Sequence, residues 1–137
     1  MGRIMAVDYG AKRTGLAVTD PLKIIATALD TVPTEKLIGY LKGYFSNETV
    51  EELVIGMPKQ LDGKDSGIAP QVRQFVDELN RSFPWLKVIP VDERFTSQIA
   101  QRAMIAGGMK KMERRKKENV DRISATLILQ AYMDSRG

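Results

Sequence analysis

Residues 4–19, IMAVDYGAKRTGLAVT, decide the fold. The apolar run 4–7 is short enough for a strand buried on both faces, and it ends at Asp8. Gly10 indicates a turn, and residues 14–19 alternate large and small apolar side chains, as a second strand paired to the first would. This stretch therefore predicts two paired strands, the first of which ends in a carboxylate.

The rest of the chain predicts further strands and helices in alternation. The predicted elements are a strand at 24–32, a helix from Thr34, a strand at 52–56, a polar loop at 57–70, a helix at 70–83, a strand at 87–92, a helix from Thr96 or Ser97 to Gly107-Gly108, and a helix at 120–135. Strands first and alternation afterwards indicate an α/β fold. We expect a five-stranded mixed sheet, three antiparallel strands and then two parallel ones, with helices on both faces.

Three local details follow from this pattern. Thr34 is a plausible N-cap for the first helix. Pro90 inside the last strand favours a place at the sheet edge, because proline cannot donate to a ladder. In the last helix, the apolar spacing predicts a core-facing stripe of Val120, Ile123, Leu127, Ile128 and Ala131.

Composition narrows the chemistry more than it narrows the fold. The 137 residues predict a single domain, 1–137, and a formal charge of +4 permits a polyanionic partner. The absence of His and Cys excludes a Ser-His-Asp triad, a thiolate nucleophile and a Cys/His zinc site. A metal would need oxygen ligands, which favours Mg²⁺, Mn²⁺ or Ca²⁺. No secretory signal or membrane-length apolar run is visible, so we expect a cytoplasmic protein with no membrane partner.

Three acids lie at the ends of apolar segments: Asp8, Glu93 and Asp121. A carboxylate is costly to bury without a partner or a metal. Asp121 shares a helix face with Ala125, Ile128 and Tyr132, and the small residues beside it would let that helix approach the sheet and Asp8. Converging carboxylates without His suit two Mg²⁺ ions about 3.5–4 Å apart that bridge a scissile phosphate.

Each acid also has an ordinary structural explanation. Asp8 before Tyr9-Gly10 is compatible with an Asx turn. Asp121 would be favoured by the helix dipole if it lay in the first turn. Glu93 is compatible with an ion pair to Arg94 or to a lysine.

Basic residues precede the third acid. Six cations lie within eight residues, and two more follow Asp8. The candidate phosphate-binding residues are Lys110, Lys111, Arg114, Arg115, Lys116 and Lys117, with Lys12 and Arg13 from the first turn. Such a run is also typical of a solvated surface, whereas next to metal-binding acids it would supply salt-sensitive, sequence-independent affinity for nucleic acid.

Four motifs in order resemble those of the YqgF/RuvX family. The first is Asp8-Tyr9-Gly10-Ala11-Lys12-Arg13-Thr14-Gly15-Leu16-Ala17-Val18-Thr19-Asp20, and the second is Gly56-Met57-Pro58 with Asp62-Gly63. The third is Asp92-Glu93-Arg94-Phe95-Thr96-Ser97, and the fourth is the basic run at 110–117 followed by Val120-Asp121, then Ala125 and Ile128-Leu129-Gln130. The resemblance covers nearly the whole chain. It implies a ribonuclease H-like fold and implies that Asp8, Glu93 and Asp121 are the catalytic, metal-binding acids.

The resemblance also implies an activity, with alternatives that the residues leave open. It implies a Mg²⁺-dependent nuclease that processes the 5′ end of pre-16S rRNA, so that structured RNA and ribosomal precursors are the expected partners. The alternatives are a Holliday junction resolvase on branched DNA, which needs a dimer rather than a monomer, and a non-catalytic RNA- or ribosome-binding factor. Asp8-x-Gly10 also resembles the phosphate loop of actin-like ATPases, whose nucleotide lies between two such domains.

Overall fold

The computed structural model describes residues 2–57, 68–92 and 117–136. Within these ranges the elements follow the predicted order. They are β1 (Arg3–Asp8), β2 (Arg13–Thr19), β3 (Ala26–Pro33), a 3₁₀ turn (Thr34–Lys36), α1 (Leu37–Asn47), β4 (Val50–Met57), α2 (Ala69–Ser82), β5 (Lys87–Asp92) and α3 (Lys117–Arg136). The predicted helix from Thr96 or Ser97 and most of the predicted loop at 57–70 lie outside the described residues.

The predicted five-stranded mixed sheet is confirmed, in the order β3-β2-β1-β4-β5. β1 and β2 pair antiparallel, with Asp8 opposite Gly15, and β2 and β3 pair antiparallel as well. β4 joins β1 in parallel, and β5 joins β4 in parallel. β1 is therefore the central strand, and β5, which contains Pro90, lies at the edge of this sheet as predicted.

Two apolar layers cover the two faces of the sheet. On one face, Met5 and Val7 of β1 belong to a cluster with buried side chains of α1 and α2, such as Leu41 and Phe75. On the other face, Ile4 and Ala6 alternate with them and form a second cluster with Ala17, Val54, Ala125, Ile128 and Leu129. Successive strand residues point to opposite faces, so the two-sided burial of β1 explains its unbroken apolar sequence.

α3 packs on the sheet through a narrow stripe of small and aliphatic residues. Ser124, Ala125, Ile128 and Leu129 are buried. The prediction that Ala131 faces the core is wrong, since Ala131 is exposed. The stripe is centred on residues 125, 128 and 129, and Ala131 lies outside its arc. Among the described residues, no helix is long and apolar enough to cross a bilayer.

The prediction of Thr34 as an N-cap is also wrong, because its side chain holds the β1–β2 turn instead. The Thr34 hydroxyl donates to the Gly10 carbonyl at 2.6 Å, and its backbone N–H donates to the Lys12 carbonyl at 2.9 Å. Because the Thr34 hydroxyl already donates its proton to Gly10, Thr34 Oγ1 acts as the acceptor for the buried Thr14 hydroxyl, at 2.9 Å. α1 begins at Leu37 after a 3₁₀ turn, and no side chain caps it.

A partly buried hydrogen bond fixes the carboxyl half of α3 to the sheet. The Tyr132 hydroxyl donates to Glu52 Oε1 at 2.9 Å, and the Lys87 ammonium lies 3.9 Å from the same oxygen. Glu52 is 6% exposed and belongs to the first half of β4. A buried carboxylate requires such partners, so this contact sets where α3 crosses β4.

The glycines offer a matched test of backbone geometry. A Cβ added at Gly39 in α1 meets open space, whereas one added at Gly10 would overlap the Arg13 carbonyl oxygen. We expect Gly39→Ala to raise the free energy of unfolding by about 0.5–1 kcal/mol. Gly10→Ala should lower it by at least about 1 kcal/mol, because the turn must shift. Urea titrations measure both, and equal effects of the two substitutions would contradict the turn geometry.

The contact between α3 and β4 is tested by Tyr132→Phe. Removing the hydroxyl takes a donor from the buried Glu52 carboxylate, so the free energy of unfolding should fall by about 1–3 kcal/mol. The double variant Tyr132→Phe with Glu52→Leu, which leaves no buried charge behind, should recover part of that loss. Denaturant unfolding of the two single variants and the double variant measures the coupling, and strictly additive effects would show that the two side chains do not interact.

Candidate active site at the carboxyl end of the central strand

Asp8 is the last residue of the central strand, and it lies on the face that α3 covers. Ile4 and Ala6 belong to the α3 cluster, whereas Met5 and Val7 belong to the α1–α2 cluster. Alternation continues to the strand end and directs the Asp8 side chain toward the α3 face. Asp8 is half-buried, between the fully buried strand and the exposed turn.

Glycines flank Asp8 on both neighbouring strands. Gly15 of β2 is its Cα partner. On the other side, Val7 pairs with Ile55 of β4. Because the two strands are parallel, the next residues of each strand, Asp8 and Gly56, are level with one another. Neither neighbour has a side chain to stand beside the carboxylate. The residues level with Asp8 on both neighbouring strands are therefore glycines.

The two basic residues after Asp8 belong to the same edge. Arg13 begins β2, two residues before Gly15, so it shares the α3 face with Asp8 and is its diagonal neighbour across the strands. Its side chain is half-buried, and Lys12 in the turn is exposed. Because Thr34 fixes the Gly10 and Lys12 carbonyls, the turn that presents these cations is held in place.

The remaining predicted site residues lie at or beyond the limits of the described chain. Glu93, Lys110, Lys111, Arg114, Arg115 and Lys116 are outside the described residues. Glu93 directly follows β5, whose Val91 is level with Gly56. Lys117 and Asp121 belong to the backbone of α3, although their side chains are outside the description.

The position of Asp121 in α3 tests the alternative explanation that the helix dipole alone favours an acid there. α3 begins at Lys117, so Asp121 is its fifth residue and lies past the first turn. The helix dipole acts mainly on the first turn, and this position weakens the explanation that Asp121 only stabilises the helix start. Lys117 precedes Asp121 by four residues and is thus its neighbour on the helix surface.

The half-buried Asp8 carboxylate supplies oxygen donors of the type that Mg²⁺ prefers. Among the described side chains, no group of three or more acidic, His or Cys residues could hold a metal ion. That set does not contain Glu93 or Asp121, so the predicted three-acid site stays a prediction. Asp8 fits the role of a first ligand, through its charge and the glycines level with it on both neighbouring strands.

Sequence reasoning missed two features of this edge. Gly56 was part of a recognised motif, but its position beside Asp8 depends on the β1–β4 register. Aligning the two parallel strands by their buried residues would have found it. The function of Thr34 in holding the turn had no local signal, because its partners are 20 and 24 residues away in the sequence.

The chain matches known proteins over nearly its whole length. A family model described as "RuvX: Holliday junction resolvase" matches residues 2–135. A protein of Porphyromonas gingivalis named "Putative pre-16S rRNA nuclease" is 50% identical over 135 residues, which cover 98% of each chain. One of Bacteroides thetaiotaomicron with the same name is 49% identical over 136 residues, 99% of each chain. Among solved structures, YeaZ from Pseudomonas aeruginosa is 16% identical, with a TM-score of 0.48 over 79% of this chain and 50% of that one. The family model and the two relatives confirm the resemblance seen in the four motifs, and the chain belongs to the RuvX family.

Proposed function

We propose that this protein is a cytoplasmic, metal-dependent nuclease that hydrolyses phosphodiester bonds in structured RNA and processes the 5′ end of pre-16S rRNA. The observation that carries the proposal is the Asp8 carboxylate at the end of the central strand, with glycine on both sides and Arg13 on the same face. The names of the relatives from Porphyromonas gingivalis and Bacteroides thetaiotaomicron support the choice of substrate.

In this proposal Asp8, Glu93 and Asp121 hold one or two Mg²⁺ or Mn²⁺ ions. When bound, such ions supply an activated water and stabilise the leaving oxygen. Asp8 contributes a ligand whose position is fixed by the sheet, because its strand is hydrogen-bonded on both sides. Arg13 and Lys12 orient the phosphate backbone by charge, which positions the substrate without reading its sequence.

The dimensions of α3 support a place for Asp121 near Asp8. Tyr132 is fixed to Glu52 in the first half of β4. The eleven residues back to Asp121 span about 16 Å of helix. The strand distance from Glu52 to Gly56, which is level with Asp8, is about 13 Å. α3 is therefore long enough to reach from its anchor to the edge that carries Asp8.

Asp8→Asn tests the proposed site directly. The amide keeps the size of the side chain and removes the charge, so metal-dependent cleavage of a labelled pre-16S rRNA fragment should fall at least about 100-fold. Asp77→Asn is the matched control, because Asp77 is an exposed carboxylate of α2 on the opposite face. Cleavage assays with Mg²⁺, Mn²⁺ or EDTA measure the effect, and undiminished cleavage by Asp8→Asn would refute the assignment.

The family description favours one second candidate, cleavage of four-way DNA junctions. A resolvase cuts two strands and needs two active sites, so this candidate requires a dimer. The same variants should be offered a synthetic junction, with the molar mass measured by light scattering. Asp8-dependent cleavage of the junction by a dimer, without cleavage of the RNA, would replace the RNA assignment. Salt-sensitive binding without any cleavage would instead support a binding factor.

Lys12→Gln tests the phosphate-binding function of the turn. Loss of one phosphate contact should reduce the slope of log K against log salt concentration by about 0.7–0.9. Binding is measured on Asp8→Asn protein, so that the RNA stays intact. Lys42→Gln removes an exposed lysine of α1 and serves as the control. Equal slopes for the two lysine variants would show that the turn does not contact phosphate.

A further inference from the structure

A cleft of about 260 Å³ opens between α1 and α2 on the face of the sheet opposite to Asp8. Tyr9 and Phe75 form its floor, with ring centroids 5.1 Å apart. Its wall on α2 consists of Gln71, Gln74 and Glu78, and Glu35 lies on the side of α1. The volume is below the range of drug-sized sites, so it suits one small planar group.

The polar residues of α2 that line the cleft form one continuous surface. Gln71, Gln74 and Glu78 recur at i, i+3 and i+7 along α2, so they lie on one helix face beside the buried stripe. The amides offer both donors and acceptors, and the carboxylate offers two acceptor oxygens. Burial, and the charge of Glu78, raise the pKa of the Tyr9 hydroxyl, so this group stays a neutral donor near pH 7.

The charge of the cleft selects against phosphate. Its charged lining residues are Glu35 and Glu78, and among the described residues no Lys or Arg lines it. A ligand must therefore bring N–H donors rather than negative charge. Guanine presents two adjacent N–H donors, which one carboxylate can accept together, and an O6 acceptor, which an amide N–H can satisfy. Adenine and the pyrimidines lack two adjacent N–H donors on that edge.

The position of the cleft relates it to the candidate active site. Tyr9 follows Asp8 directly, and the alternation of the strand sends the two side chains to opposite faces of the same edge. A single strand that crosses the edge would place a phosphate on the Asp8 side and a neighbouring base on the Tyr9 side. Unpaired bases of RNA are typically read by this combination of aromatic contact and hydrogen bonds to the base edge.

We propose that the cleft floored by Tyr9 and Phe75 binds one unpaired guanine base next to the phosphate that is cleaved at Asp8. This inference rests on the proposed nuclease function, since it assigns the cleft to the same substrate. It supplies a base preference, which the phosphate contacts of Lys12 and Arg13 do not provide.

The test measures binding without cleavage. Asp8→Asn protein is titrated with fluorescent single-stranded RNA hexamers that differ only in one central guanine or adenine. We expect the guanine hexamer to bind about tenfold more tightly, the effect of one bidentate base contact. When Glu78→Gln is combined with Asp8→Asn, the preference for guanine should disappear. When Asp77→Asn is combined with Asp8→Asn instead, the preference should remain, because the neighbouring Asp77 does not line the cleft.

A second readout separates a lost contact from a misfolded variant. In ¹⁵N-labelled protein, guanosine should shift the amide signals of Tyr9 and Gln74, and it should not do so in a folded Glu78→Gln variant. Equal binding of both hexamers, or a guanine preference that survives Glu78→Gln, would overturn the inference. Glu78-dependent binding of an arginine-rich peptide in place of guanosine would overturn it as well, by assigning the cleft to a protein partner. Since none of these measurements needs turnover, they are independent of the cleavage result that decides the nuclease function.

Discussion

The burial of β1 on both faces is the constraint on which the rest of this structure depends. β1 is hydrogen-bonded to β2 on one side and to β4 on the other, and apolar clusters cover both of its faces. Such a strand tolerates no charge at its four buried positions, residues 4–7. Asp8 occupies the first position at which the strand leaves the core, so its carboxylate is both fixed in position and accessible.

The edge that begins at Asp8 is organised by side-chain alternation. Asp8 and Arg13 lie on the face that α3 covers, whereas Tyr9 lies on the face of α1 and α2, against Phe75. The same turn thus separates a charged surface suited to phosphate from an acidic cleft suited to N–H donors. Thr34 stabilises this turn through its contacts with Gly10, Lys12 and Thr14, so both surfaces depend on one small hydrogen-bonded network.

Local sequence predicted the five strands, the helices of the described residues and the mixed character of the sheet, because apolar periodicity and turn residues are local signals. Pro90 correctly predicted an edge strand for the same reason. Thr34 was misassigned because a hydroxyl before a helix has the same pattern whether it caps the helix or binds a turn more than twenty residues away. The contact between Glu52 and Tyr132 could not be predicted either. Its partners are 80 residues apart, and neither spacing nor composition pairs them.

For the site, the sequence predicted Asp8 and its basic neighbours, and the fold places that carboxylate at the end of the central strand. The flanking by Gly15 and Gly56 needed the strand register, which is a property of the assembled sheet. Mn²⁺ titration of ¹⁵N-labelled protein without nucleic acid measures the proposed metal site most directly. If Asp8 is a metal ligand, the amide signals of Asp8, Gly15 and Gly56 broaden selectively, and this broadening is lost in Asp8→Asn. Broadening that is uniform, or that persists unchanged in Asp8→Asn, would contradict it.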